Sequence, residues 1–412
     1  MKALNNNIPK LRFNEFSKPW DEKKLGDIAG ITKLAGYEFT KHVVYSNHGK
    51  IIALRALNIK SNSLVLDKVK YIDKSQLSML KRSKLYIGDI LFTYVGTIGE
   101  LAVISENDKY YLAPNVARVR LSKQYLPYFV SQSFQIPRVK IKEIFKYINS
   151  SSQPALSMGN IRKFIFFLPD VFEQQKIADF LSSVDARISQ LTKKKLLLVK
   201  YKKGIMQKIF KQEIRFKDDN GNDFSDWQEK MLGEISEPVK RKTDKVISKI
   251  MTISAGKGFL NQEDRFSQVI AGTSLKNYTL LYKDELAYNR GNSKSYTYGC
   301  IYKLKEEMAL IPYVYRSFKL NNGNSAFYEQ LFICKYLDCQ LRRMISSSAR
   351  MDGLLNITEK AFYSVKVPQP CLHEQKKIAG FLGAIDRKID LASTELGKAQ
   401  EFKKGLLQQM FV

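Results

Sequence analysis

EQQKIADFLSSVDARI, from Glu173 to Ile188, returns as EQKKIAGFLGAIDRKI from Glu374 to Ile389. The offset holds beyond that stretch. Asp185 to Asp386 is 201 positions, and so is Gly204 to Gly405 in KKGIMQKIF and KKGLLQQMF. In the first copy Ile177, Val184, Leu191, Leu198 and Ile205 recur every seven residues, with Leu181, Ile188, Lys195, Lys202 and Ile209 at the alternate positions. In the second, Ile378, Ile385, Ala392, Ala399 and Leu406 match one series and Leu382, Ile389, Leu396, Lys403 and Met410 the other. This 4-3 spacing, held over about five heptads, is the seam of a coiled coil. Glu173 and Glu374 fall in the first helical turn, where a carboxylate complements the helix dipole, and lysines crowd the last turns. At 1.5 Å per residue, roughly 38 residues make a rod of about 57 Å.

A narrow apolar stripe needs a partner, and the other copy is the nearest one. Antiparallel pairing within the chain would set the intervening segments at opposite ends of the rod, related by a pseudo-twofold axis. The large Leu191 and Leu198 would then meet small Ala392 or Ala399. In the alternative, each helix packs only on its own domain.

Working outward, a shorter echo opens each half: WDEKKLGDI at Trp20 and WQEKMLGEI at Trp227, preceded by Arg12-Phe13 and Arg215-Phe216. Between the echoes the two halves share little in sequence. The layout expected is a variable domain over 1–170, a helix over 171–212, a second variable domain over 213–370 and a second helix over 371–412. The fold class expected is α+β. Strands are predicted at Ile51–Leu57, Ile90–Val95, Gly99–Ile104 and Val116–Leu121, and a basic, aromatic helical stretch at Tyr125–Tyr147. In the second domain they are predicted at Val246–Ile253, Glu285–Tyr288 and Tyr298–Tyr302, with a helix near Ser325–Met344. A constant frame around two different inserts suggests one protein reading two things in one geometry.

Charge says what is read. Lys+Arg number 68 against 40 Asp+Glu, a formal net charge of +28. Such an excess favours a polyanion, because each phosphate neutralised releases condensed counterions. With 24 Phe and 22 Tyr the chain can build real cores. No run approaches a membrane span, so a cytoplasmic protein is expected. Cys300, Cys334, Cys339 and Cys371 form no CxxC pair, and His42, His48 and His373 are scattered, so neither metal nor disulfide is expected.

Catalytic motifs are missing. No Asn/Asp-Pro-Pro-aromatic motif is present to hold a flipped base, and Gly256-Lys257-Gly258 lacks phosphate-loop spacing. Gly96-Thr97-Ile98-Gly99 between two strands reads as a hairpin. The chain reads as a binder. Two alternatives remain: a stand-alone DNA methyltransferase or nuclease with an unfamiliar motif, and a coiled-coil adaptor that binds no DNA.

The doubled EQxxIAxFLxxxDxxI helix, the preceding Leu168-Pro169 and Val367-Pro368 steps, the closing Phe210 and Phe411 and the Trp-x-x-x-x-Leu-Gly echo resemble the specificity subunit of type I restriction–modification enzymes. Lys283 to Arg290, KDELAYNR, is similar to a strand and loop often found in the target-recognition domains of that family. The resemblance spans the whole chain. It implies that each variable domain reads half of a split, asymmetric double-stranded DNA site, with the helices as a ruler between them. It also implies two modification subunits and further restriction subunits as partners, which carry S-adenosylmethionine, ATP and Mg, so that no cofactor is expected on this chain.

Base edges need Arg, Asn, Gln, Ser or Thr on loops, and phosphates need Lys or Arg. In the first domain Tyr94, Thr97, Ser151, Ser152 and Gln153 are expected at DNA, with Arg138 and Lys140 on phosphates. In the second, Asn289, Arg290, Asn292, Lys294, Ser348 and Arg350 are expected there, with Arg342 and Arg343 on phosphates. Trp20, Glu173, Lys176, Trp227, Glu374 and Lys377 are expected to bind partner subunits.

Overall fold

The computed structural model describes residues 7–148, 154–243, 247–265, 272–345 and 354–412. It divides into two compact units, residues 1–191 with 394–412, and residues 192–393. The cuts fall inside the two repeated helices, not at their ends. Each unit therefore owns one head, the first half of the helix that follows it, and the last turns of the other helix.

In the first unit strand β1 (Asp21–Lys24) follows the buried Trp20, and β2 (Ala29–Lys33) leads into the main sheet. β3 (Ile90–Thr93), β4 (Leu101–Val103) and β5 (Val116–Leu121) complete that sheet in the order β2-β5-β3-β4, all antiparallel. The short helix α1 (Pro127–Ser133) begins with proline, whose missing N–H costs nothing at a helix start. It covers β4 with Phe129 and Val130, both buried. The expected helix over Tyr125–Tyr147 breaks at a second proline, Pro137, into short turns. β6 (Ile165–Leu168) returns to pair with β1, Asp21 opposite Leu168, and hands the chain to the long helix α2 (Val171–Phe210).

The second unit repeats this plan. β7 (Gln228–Met231) pairs with a late strand, and β8 (Ser236–Val239), β9 (Leu286–Asn289), β10 (Cys300–Lys303) and β11 (Arg316–Leu320) form a sheet in the order β8-β11-β9-β10. Helix α3 (Ser325–Ile333), capped by the Asn324 side chain, packs on β10. β12 (Lys366–Gln369) pairs with β7, and α4 (Leu372–Gln409) follows. The two heads, which share little sequence, share the topology of their four-stranded sheet and of the strand pair that closes each head.

The seam is as the heptads require. In the first unit Ile177, Leu181, Val184 and Leu191 are buried, with Leu406 and Met410 from α4 in the same core. In the second, Ile378, Leu382, Ile385 and Ala392 are buried, with Met206 and Ile209 from α2. Ile188, Ile205 and Ile389 pack at the edges of these cores, and Leu198 and Leu396 are half-buried. In both units an early turn of one helix meets a late turn of the other, so the segments run antiparallel.

Two of the lysines at seam positions, Lys202 and Lys403, are paired. Lys403 reaches Asp185 at 2.7 Å in the first unit, and Lys202 reaches Asp386 at 2.6 Å in the second. Both acids and both lysines are repeat mates. Each acid also takes a bond from its own head: the Tyr128 hydroxyl on Asp185 at 2.5 Å, and the Gln330 amide on Asp386 at 2.9 Å. Hydrogen bonds from the head offset part of the desolvation of these half-buried pairs.

The closing phenylalanines explain the repeated helix ends. Phe411, just beyond α4, stacks on Phe129 of the first head at 5.1 Å and meets Trp20 edge-on at 5.9 Å. Phe210 at the end of α2 packs on Phe327 of the second head at 5.7 Å. Each helix thus starts on its own head and ends in the core of the other. Each helix packs on its own head and on the other helix, so the alternative of packing on its own domain only does not hold.

Candidate nucleic-acid interface

In both heads the strand that enters the exposed loop starts from one local motif. Tyr86 and Asp89 precede β3, and Tyr282 and Glu285 precede β9. Each acid accepts its tyrosine's backbone N–H at 2.8 Å, closing a tight turn, and the residue before each acid has positive φ (Gly88 at 88°, Asp284 at 65°). Each acid then holds an arginine bidentately, Arg120 on Asp89 at 2.6 and 2.7 Å and Arg241 on Glu285 at 3.0 and 3.1 Å. The guanidinium lies over the ring of the same tyrosine, at 4.9 Å for Tyr86 and 4.4 Å for Tyr282. Only the KDELAYNR copy stood out in sequence. The first-half copy, YIGDILFT from Tyr86, shares with YKDELAYN from Tyr282 just the tyrosine and an acid three residues on.

The strand ends are also alike. Thr93 Oγ1 donates to the Thr97 carbonyl at 2.6 Å and accepts from Glu100 N at 3.0 Å, tying the β3–β4 loop. Asn289, its counterpart, accepts from Gly291 N at 2.9 Å and donates to the Ile253 carbonyl at 3.2 Å. Beside each loop runs a later stretch of the same head, Pro154 to Leu156 in the first and Leu355 in the second. Gly96 N bonds the Pro154 carbonyl and Leu156 N the Tyr94 carbonyl, while Leu355 N bonds the Arg290 carbonyl. The two loop clusters of each head are therefore neighbours.

Among residues expected at DNA, Thr97, Asn292 and Lys294 are exposed on these loops, and Arg342 and Arg343 are exposed on a separate short helix, Asp338–Met344. Ser151, Ser152, Gln153, Ser348 and Arg350 lie outside the described residues. Four others are placed differently from expectation. Tyr94 is largely buried, its ring under the Lys33 ammonium at 5.5 Å. Asn289 has both ends of its amide committed to the loop. Arg138 donates to the Val412 carbonyl and lies over Phe167 at 4.4 Å, and Arg290 turns to the Val314 carbonyl at 3.3 Å. Lys140 is half-buried near Arg138.

The residues expected to bind partners are mostly spent inside their own units. Glu173 and Glu374 have no exposed side-chain surface, and they hold Arg12 at 2.7 Å and Arg215 at 2.9 Å. Trp20 is buried, and the Trp227 indole donates to Glu374 at 2.9 Å. Lys176 pairs with Glu15, and Lys377 pairs with Asp219 at 2.7 Å. These charges need partners because desolvated carboxylates are costly alone, and the Arg-Phe echo supplies them. The neighbouring Gln174 and Gln375 are a signal the sequence carried unread. Each donates to a proline carbonyl, Pro169 or Pro370, at 2.8 Å, and accepts the backbone N–H of Leu126 or Asn324 at 3.0 or 2.8 Å. The match of Pro169 is thus Pro370, 201 positions on, and not Pro368.

Among the described residues no cluster of His, Cys, Asp and Glu could hold a metal ion, and no helix is long and apolar enough to cross a membrane. What the site offers is loop hydroxyls, amides and cations on two rigid sheets.

Known proteins share this plan. The family model described as the type I restriction modification DNA specificity domain matches residues 17–201 and again 224–400. A putative type I restriction enzyme specificity subunit, MjaX, of Methanocaldococcus jannaschii is 25% identical over 97% of this chain and 95% of its own length. The EcoKI specificity subunit of Escherichia coli is 28% identical over 30% of this chain and 28% of its own. In fold, the chain is similar to the S subunit of a type I restriction-modification system from M. genitalium, with a TM-score of 0.60 at 17% identity, covering 98% of this chain and 99% of that one.

Proposed function

The chain belongs to the type I restriction–modification DNA specificity family, and from that membership we propose that each head reads one half of a split, asymmetric duplex site for methyltransferase and endonuclease subunits that carry the chemistry. The observation that carries this reading is one sheet topology used twice with unlike loops. A shared frame keeps the two loop clusters equivalent in geometry, and unlike loops let them differ in sequence read. The net charge of +28 supplies the attraction to duplex that is independent of sequence.

Two modification subunits are the partners this duplication suits. Beside the start of each long helix lies an open cleft. One, of about 440 Å³, is lined by Lys18, Pro169 and Gln174, and its repeat mate, of about 250 Å³, by Ser225, Pro370 and Gln375. One partner surface presented twice would use both. S-adenosylmethionine, ATP and Mg belong to those partners in this reading, restriction subunits join the same assembly, and the complex works in the cytoplasm. The helices set the distance between half-sites. Purified chain incubated with duplex and labelled methyl donor should transfer nothing until modification subunits are added. Methylation by the chain alone would favour the stand-alone enzyme, and salt-independent behaviour towards duplex would favour the adaptor.

A further inference from the structure

Beside the recognition loop of the second head is a cavity of about 600 Å³ whose lining includes Lys240, Lys242, Arg290, Arg316 and Ser317, with Glu359 the one carboxylate among the lining residues. Glu359 is taken, since Lys240 pairs with it at 2.9 Å. Among the described residues, Lys242, Arg290 and Arg316 have no carboxylate partner. Arg316 is held in place by the backbone carbonyls of Ile357 and Thr358, and Arg290 by that of Val314. Burial and the neighbouring Arg290 both hold the Arg316 pKa below its ordinary value, and the attraction of Glu359 does not outweigh them. Arg290 and Arg316 lie on the same face of the sheet, beside Tyr288, so their charges share one space.

We propose that this cavity binds a phosphate of the DNA backbone, with Arg290, Arg316 and Lys242 as its cations. The proposal rests on the duplex-reading function and deepens it. It makes Arg290 an anchor of register, not a reader of a base edge. A phosphate presents several acceptor oxygens and suits guanidiniums fixed by carbonyls behind them. The anchor belongs to one head only. In the first head the strand position of Arg316 is taken by Ala117, which pairs with Phe92 as Arg316 pairs with Tyr288, and the position of Arg290 is taken by Tyr94.

The test uses the full-length chain assembled with its modification subunits, and duplexes carrying the mapped site. Arg290→Gln should weaken binding about tenfold and lower the salt slope by about one unit, while the ranking of cognate and single-mismatch second half-sites is unchanged. Lys242→Gln, at an exposed position, tests the same point without disturbing the fold. Neutral methylphosphonate linkages walked along the duplex should reveal one position that costs wild type affinity and costs Arg290→Gln nothing. A changed base preference in Arg290→Gln overturns the phosphate assignment, as does full affinity in both charge variants. If millimolar inorganic phosphate stabilises wild type but the variants bind duplex normally, the site takes a free anion and the duplex assignment fails. Wild type that shows no salt-dependent duplex binding would instead sink the underlying function.

Discussion

Asp185→Ala removes the acid that three groups of the first unit converge upon: Lys403 at 2.7 Å, the Tyr128 hydroxyl at 2.5 Å and the Gln132 amide at 3.3 Å. Breaking a fully buried pair costs about 3–5 kcal/mol and an exposed one less than about 1. Here Lys403 keeps 14% of its side-chain exposure and Asp185 31%, so the loss should fall between, at about 2–3 kcal/mol. For a unit of roughly 200 residues, 1 kcal/mol moves Tm by about 2–4 °C, so a fall of about 4–12 °C is expected. The two tryptophans make the measurement local. Trp20 lies in the first unit and Trp227 in the second, so single-tryptophan variants followed by fluorescence in urea report each unit separately. The first unit should weaken more than the second. Asp386→Ala, where the acid is 38% exposed and takes its head bond from Gln330, should cost the second unit about 1–2 kcal/mol. The double replacement Asp185→Leu with Lys403→Met should recover most of the loss, since apolar groups of similar volume replace such pairs without penalty. A cycle coupling of Asp185 and Lys403 below about 0.5 kcal/mol would refute the pairing.

Three further outcomes follow from other parts of the molecule. Gly299→Ala places a Cβ 2.5 Å from the Asn289 carbonyl oxygen at a φ of +82°, so it should distort the β9–β10 loop and lower duplex affinity while far-ultraviolet circular dichroism is retained. Glu329, buried beside the seam of the second unit, has its pKa raised above the ordinary value by burial. Its favourable contribution is therefore complete below the usual carboxylate pKa and lost as pH rises through the raised one, and Glu329→Gln should flatten that decline in urea midpoints recorded between acid and neutral pH. Leu382→Lys drives an ammonium into a fully buried position and should cost several kcal/mol, while Lys194→Ala at an exposed helix position should melt as wild type does.

The helix repeat was legible because a heptad seam and its capping acids are local patterns with a fixed period. The repeat inside the heads was not, because loops of different length slide its offset. The helix echo stands at 201, Phe129 and Gln132 match Phe327 and Gln330 at 198, and Tyr86 and Asp89 match Tyr282 and Glu285 at 196. The cation also changes strand. Asp89 takes Arg120 from β5, whereas Glu285 takes Arg241 from just beyond β8, so no single spacing describes both. Residue type and loop position do not fix the direction of a side chain. Asn289 and Arg290 have polar ends turned to backbone carbonyls. Trp20 and Glu173 were conspicuous because they repeat, and they repeat because each completes the core of its unit.

Two heads that read independently through one frame are the centre of the proposed function. Its most direct test is methylation mapping of a host in which residues 227–370 are replaced by the matching segment of a relative with a different known target. One half of the methylated site should change to the donor's, with the other half intact. Loss or change of both halves, or an unchanged site in an active complex, would contradict it.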